Sequence, residues 1–172
     1  MILMNFKLCI IGTGYVGLPL AVEFGKYFQT IAFDINKKKI NLLKKKQDKT
    51  KQIRNLQFSK SNKLKFSSNL NDLNQSNIYI VTVPTPILKN NKPDLRPLKS
   101  ASKLISKKIK KNDIVIYEST VYPGVTRNIC APILEKYSNL KFNIDFFCGY
   151  SPERINPGDK KHTLVNIKKI VS

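Results

Sequence analysis

A run of apolar residues, FKLCII at 6–11, leads into Gly12-Thr13-Gly14-Tyr15-Val16-Gly17 and then into LPLAVEFG, so a strand must pass to a helix through three glycines. Few folds accept that order. An apolar run without polar alternation is the pattern of a strand buried on both faces, as in a parallel sheet. In the spacing GxGxxG, Gly12 permits a tight turn, Gly14 lets the backbone come close to a bound group, and Gly17 lets the helix pack against the strand. Amides at the helix start, with Tyr15 and Val16 among them, then face an anion such as a pyrophosphate, supported by the helix dipole.

TIAFD at 30–34 is a second apolar strand, and it ends in Asp34. An acid about twenty residues beyond the first glycine is placed to accept hydrogen bonds from the 2′-hydroxyl of an adenosine ribose. The same carboxylate repels a 2′-phosphate and so favours NAD over NADP. Lys37, Lys38 and Lys39 follow closely and oppose that preference, since cations there can hold a phosphate; Lys39 is counted with the cofactor residues. The competing reading gives the glycines only a turn to make and Asp34 only a helix to cap.

The remaining elements alternate. Helices are expected over about 15–27, 37–47, 98–109 and 123–137, and further strands at 64–68, 78–83, 113–118 and 142–149. Pro19 falls near the start of the first helix, where a missing N–H does least harm, and Pro84 and Pro86 stop the strand IYIVTV. Segments such as NKKKINLLKKK and KLISKKIKK space their apolar residues like helices with one buried face. Strands alternating with helices imply right-handed parallel βαβ units, hence an α/β, doubly wound, mostly parallel Rossmann-type sheet with helices on both faces. Ligands of such sheets lie beyond the carboxyl ends of the strands.

With 172 residues and no linker or low-complexity tract, the chain is expected to fold as one domain over 1–172. Its net charge of +20, from 31 Lys+Arg against 11 Asp+Glu, raises the question of nucleic acid. Arginine, which reads bases with two hydrogen bonds, occurs only at Arg54, Arg96, Arg127 and Arg154, so a solvated lysine surface without a nucleic-acid partner is the expectation. Cys9, Cys130 and Cys148 have neither even number nor ligand spacing, which argues against a disulfide frame or a metal site and for a reducing cytoplasm. His162 is the sole histidine, so a Ser-His-Asp triad would have to use it; a structural or surface role is expected instead. The apolar N-terminal stretch is interrupted by Gly12, Thr13, Gly14 and Glu23, which fits neither a signal peptide nor a membrane span.

Three further segments fall at or near strand ends: VTVPTP at 81–86, ESTVYPGVTR at 118–127 and GYSPERINPGD at 149–159. Together with GTGYVGLPLA, and in this order, they resemble the motifs of the UDP-glucose/GDP-mannose dehydrogenase family over essentially the whole chain. The wording SPERINPGD is most similar to enzymes acting on UDP-N-acetylhexosamines, such as the UDP-N-acetylglucosamine and UDP-N-acetylgalactosamine 6-dehydrogenases of capsule and Vi-type polysaccharide pathways. UDP-glucose dehydrogenases typically carry a second glutamate four positions after the one matching Glu153, where this sequence has Pro157.

The resemblance implies oxidation of a sugar's primary alcohol to a carboxylate with two NAD, by way of an aldehyde and a cysteine thioester that water hydrolyses. It implies that Val83, Pro84 and Thr85 line the cofactor's path, that Ser119 and Thr120 sit near the nicotinamide, and that Thr120 also holds the hydrolytic water. Glu153 would trade a proton with that water or orient it, and Glu153, Arg154, Ile155, Asn156 and Pro157 would edge the sugar site. A hydroxyl that donates and accepts suits the first role, and a carboxylate in a partly dry cleft suits the second. The alternatives are a helix cap for Thr120 and an ion pair for Glu153. The family's nucleophilic cysteine lies in a glycine-rich segment downstream of SPER, and none of the three cysteines matches it. The expected product of this chain alone is therefore dinucleotide binding without sugar turnover, the family's linking helix, sugar-binding domain and usual homodimer lying outside it. A stand-alone dinucleotide-binding module and a 6-phosphogluconate- or hydroxyacid-type dehydrogenase domain remain as alternatives.

Overall fold

The structure, a computed structural model, describes residues 5–50, 52–53, 55–152 and 172. Six strands form one sheet: β1 Lys7–Ile11, β2 Gln29–Phe33, β3 Leu64–Ser67, β4 Ile78–Val81, β5 Ile114–Tyr117 and β6 Phe147–Tyr150. All neighbours run parallel, in the order β3-β2-β1-β4-β5-β6. The chain winds outward from β1 to β3, returns to β1's other side at β4 and winds outward again. The reversal leaves a crevice between the loops that follow β1 and β4, which is where doubly wound sheets take their ligands.

Side-chain alternation sorts each strand between two layers. Cys9, Ile11, Ile31, Phe33, Tyr79, Val81, Val115 and Tyr117 pack on one face with Leu98, Ala101 and Ile105 of α4 (Arg96–Ser106) and Leu134 of α5 (Ala131–Ser138). Leu8, Ile10, Ala32 and Ile80 face the opposite side, against Ala21 of α1 (Gly17–Phe24). There α1 also packs through Leu18 and Val22 on Ile40 and Leu43 of α2 (Lys37–Lys44) and on Phe58 of α3 (Asn55–Lys60). Leu98, Ile105 and Leu134 are fully buried, each contributing about 1.5–3 kcal/mol of apolar burial, so the helices are held by packing more than by helix propensity.

The expected doubly wound parallel sheet is present, with several boundaries moved. The first helix begins at Gly17, because residues 12–16 are used by the glycine turn. The strand expected over 142–149 is confined to Phe147–Tyr150. Before it, Asn143 takes the left-handed conformation at φ 61° and its amide donates to the Phe146 carbonyl at 2.8 Å, closing a turn that leaves Ile144 exposed. Asn is one of the few residues that accept that backbone cheaply. The helix expected over 123–137 starts at Thr126 with a π-helical turn, Thr126–Cys130, which runs into α5. Helix α3 and a 3-10 turn at Leu70–Gln75 were not expected from the sequence pattern.

Candidate functional site

The turn after β1 needs its glycines for two different reasons. Gly12 has φ +96°, a conformation that L side chains rarely adopt, and its amide donates to the Phe33 carbonyl at 2.8 Å. At Gly17 the obstacle is contact: a Cβ would lie 2.0 Å from the Gly12 carbonyl oxygen and 2.3 Å from the Thr82 hydroxyl. That hydroxyl is part of the construction, donating to the carbonyls of Gly12 at 2.9 Å and Ile11 at 3.1 Å from the end of β4. Helix, strand and crossover loop are thus pressed together at one point.

Gly14 differs from both. A Cβ added there meets nothing within 4 Å. Folding gives no steric reason for glycine at this position, whereas a group seated against the backbone would. Beside this open space α1 begins with no side-chain cap and no acid in its first turn. Among the described residues, the amides of Gly14, Tyr15 and Val16 engage no acceptor. An uncapped helix start next to open space is suited to an anion.

Asp34 follows β2 at the rim of the same turn. Its Oδ2 accepts from the Thr13 amide at 3.1 Å, the Thr13 hydroxyl at 2.8 Å and the Lys39 ammonium at 3.3 Å; its Oδ1 accepts from the Asn36 amide at 3.0 Å. Burial acts against the charged carboxylate, but the donors from Asn36 and Thr13 and the Lys39 cation outweigh it and hold the pKa below the ordinary value. Asn36 caps α2 by accepting from the Lys39 amide at 3.0 Å, and this directs Lys39 back to Asp34. Lys37 and Lys38 are exposed.

A second group of expected residues is joined across β4 and β5. The Ser119 hydroxyl donates to the Val83 carbonyl at 2.9 Å, and the Thr85 hydroxyl donates to the Thr120 carbonyl at 2.8 Å. The loop carrying Val83, Pro84 and Thr85 is therefore tied at two points to the loop carrying Ser119 and Thr120. Ser119 is buried, Val83 and Thr85 are half-buried, and Pro84 and Thr120 are exposed. Glu153, Arg154, Ile155, Asn156 and Pro157, and His162, lie outside the described residues. Cys9 and Cys130 are buried and Cys148 is half-buried; burial raises all three thiols, Cys148 to about 12. A thiol held protonated is a poor nucleophile.

The structure thus brings Gly12, Gly14, Gly17, Asp34 and Lys39 into one constellation, and Val83, Thr85, Ser119 and Thr120 into another beside it. Thr13 and Thr82 belong to the same machinery and were missed by the sequence reading. Thr82 resembles an ordinary strand residue in IYIVTV. Thr13 occupies the unrestricted second position of GxGxxG; its one signal was a small polar side chain in a segment otherwise aliphatic, aromatic or glycine.

A doubly wound sheet in order 3-2-1-4-5-6, a glycine turn opening an uncapped helix and an acid at the end of the second strand define a Rossmann-type dinucleotide-binding domain. The chain belongs to the UDP-glucose/GDP-mannose dehydrogenase family, as its NAD binding domain, which it matches over residues 6–172. It is 54% identical over 168 residues to UDP-N-acetyl-D-glucosamine 6-dehydrogenase of Pseudomonas aeruginosa, covering 98% of this chain and 40% of that protein. To the CapL protein of Staphylococcus aureus it is 51% identical over 169 residues, covering 98% and 40%. Among solved structures, NDP-N-acetyl-D-galactosaminuronic acid dehydrogenase from Methanosarcina mazei Go1 superimposes with a TM-score of 0.85 at 25% identity, over 97% of this chain and 38% of that one. The chain therefore spans about 40% of the length of these curated relatives. Among the described residues, no helix is long and apolar enough to cross a membrane.

Proposed function

We propose that this chain is the cofactor-binding portion of a nucleotide-sugar 6-dehydrogenase that oxidises the primary alcohol of a UDP-N-acetylhexosamine to the uronate with two NAD. The observation that carries the reading is the open space at Gly14, which has room for a Cβ and lies beside an uncapped helix start, with a carboxylate of lowered pKa fastened to the neighbouring Thr13. Gly14, Tyr15 and Val16 would receive the pyrophosphate on their amides, with Gly12 and Gly17 shaping the turn. Asp34 would accept from the adenosine ribose, with Lys39 beside it. Val83, Pro84, Thr85, Ser119 and Thr120 would border the nicotinamide end. Bound NAD supplies a hydride acceptor. Thr120, exposed on a loop anchored through its carbonyl, is suited to holding a water, and Glu153 to exchanging a proton with it.

The sugar class rests on the 54% identity to UDP-N-acetyl-D-glucosamine 6-dehydrogenase and on Pro157 in SPERINPGD. The resemblance of the sequence motifs to the family further suggests a product that serves a capsule-type polysaccharide and a whole enzyme that is a cytoplasmic homodimer binding no nucleic acid. In this reading 1–172 is one NAD-binding unit, followed in the longer enzyme by a linking helix and a sugar-binding domain. Calorimetry with NAD and NADP on the 172-residue chain tests the cofactor assignment. NAD is expected to bind more tightly, and Asp34→Ala to weaken it more than Glu153→Ala. Equal losses in the two variants would remove the assignment of Asp34 to the ribose and Glu153 to the sugar.

A further inference from the structure

The second position of a GxGxxG turn asks nothing of its side chain, yet Thr13 is fully buried and its hydroxyl is committed. A threonine in a turn ordinarily bonds to backbone a residue or two away. This one donates to a carboxylate 21 positions along the chain, at 2.8 Å, while its own amide donates to the same oxygen at 3.1 Å. With the Lys39 ammonium at 3.3 Å, Oδ2 of Asp34 has three donors, whereas Oδ1 has one, the Asn36 amide at 3.0 Å. Each carboxylate oxygen offers about two lone-pair sites. Oδ2 is saturated and Oδ1 keeps an open one.

We propose that Thr13 is a positioning residue for the ribose-binding acid: its hydroxyl and amide fix Asp34 to the glycine turn, leaving Oδ1 as the oxygen that accepts from the adenosine ribose. The inference rests on the NAD reading above and specifies how that site discriminates. An unfastened aspartate would have to be immobilised when the ligand arrives, and that ordering would be subtracted from affinity. Fastened to the turn that seats the pyrophosphate, the acid stands at a set distance from it before any ligand is present. The same donors keep the carboxylate charged, which is the form that accepts from a 2′-hydroxyl and rejects a 2′-phosphate. Thr13 acts only through Asp34, and its effect should therefore disappear when Asp34 is removed.

A double-mutant cycle tests this by calorimetry with NAD and NADP on the 172-residue chain, using Thr13→Val, Thr13→Ser, Asp34→Ala and the Thr13→Val/Asp34→Ala pair. Thr13→Val keeps the shape and removes the donor; about a five- to tenfold loss of NAD affinity is expected, the scale of one ordered, charge-assisted contact. Thr13→Ser should stay within about twofold of the parent because it restores the hydroxyl. NADP affinity should barely move, so discrimination between the cofactors falls. In the Asp34→Ala background, Thr13→Val should change nothing further. Equal losses with and without Asp34, or a serine variant as weak as the valine, would reduce Thr13 to a turn-shaping residue and overturn the proposal. Should Thr13→Val fail to fold, judged by circular dichroism, Thr13→Ala takes its place in the cycle with the same expected coupling. If the parent chain binds no NAD, the functional reading itself falls and this inference with it; if the parent binds and Asp34→Ala weakens it without coupling to Thr13, only this inference falls.

Discussion

At the carboxyl end of β2, Asp34 receives four donors and its pKa lies below the ordinary 3.8; at the amino end of β5, Asp113 receives the Lys110 amide at 2.8 Å and its pKa is raised by burial. Both acids are shielded from water, Asp113 with 3% of its surface exposed and the Asp34 side chain with 14%. Burial of a carboxylate alone therefore does not mark a site. The number of donors aimed at the charged form separates the two pKa values, but it marks a site only together with place, since Asp48 and Asp94, away from the glycine turn, also accept four hydrogen bonds each. The loops at the two ends differ likewise. At the amino ends the residue before β4 is tied to the start of β1: the Asn77 side chain accepts from the Lys7 amide at 2.9 Å and donates to the Asn5 carbonyl at 3.0 Å. At the carboxyl ends the space beside Gly14 is left open.

The comparison predicts that changes at the carboxyl end cost binding while changes at the amino end cost stability. Gly17 is the exception that tests it most severely. It lies at the carboxyl end, yet a methyl there would sit 2.0 Å from the Gly12 carbonyl oxygen, which is backbone and cannot rotate away. Gly17→Ala should lose about 3 kcal/mol or more of stability in urea unfolding, the range of severe overpacking. A loss below about 1 kcal/mol would mean that α1 can slide along the sheet, and the tight junction of helix, turn and Thr82 would not be fixed.

Gly14→Ala should behave in the opposite way. Its methyl enters open space, so unfolding free energy should stay within about 1 kcal/mol of the parent, the usual range for a compatible glycine replacement. NAD affinity should fall by at least about tenfold, equivalent to about 1.4 kcal/mol, because the methyl takes the place of the pyrophosphate. The pair of alanines thus separates a glycine kept for packing from one kept for a ligand. Unchanged NAD affinity in Gly14→Ala would move the phosphate elsewhere.

How much of this was legible in the sequence varies with the kind of information required. Apolar runs ending at Gly12, Asp34 and Pro84 located β1, β2 and β4 because a buried parallel strand is written continuously along the chain. The glycine set and Asp34 were legible for a similar reason, since spacing alone carries the motif. Residues 142–149 failed because FNIDFFCG is apolar enough for a strand, while the left-handed Asn143 that diverts it is one residue of backbone geometry. Helix α3 was missed because its burial through Phe58 depends on α1 and α2, which are distant in sequence. Thr13, Thr82 and the bonds joining Thr85 to Thr120 and Ser119 to Val83 are invisible to spacing. Each hydroxyl meets its partner only when the sheet is assembled, so periodicity holds no trace of it.

The smallest expected effect returns to the two acids and turns on its sign. Asp34 has a depressed pKa in the fold, so its contribution to stability is present above the ordinary 3.8 and is lost as pH falls through the depressed value. Asp113 has a raised pKa, so the fold carries a buried charge at neutral pH and is relieved of it as pH falls through that raised value. Asp34→Asn should therefore be less stable than the parent at pH 7, with the gap closing in acid. Asp113→Asn keeps an oxygen for the Lys110 amide and loses the charge; it should match or exceed the parent at pH 7 by less than about 1 kcal/mol, the scale of a single hydrogen-bonded side chain, and lose that advantage in acid. Urea midpoints from pH 7 to pH 3 give both curves, and NAD affinity in Asp113→Asn should equal the parent's. Were Asp113→Asn less stable at pH 7 by more than about 1 kcal/mol, with a gap that closes in acid as Asp34's does, the charge at the amino end would also be in use, and the contrast between the two ends of the sheet would fail.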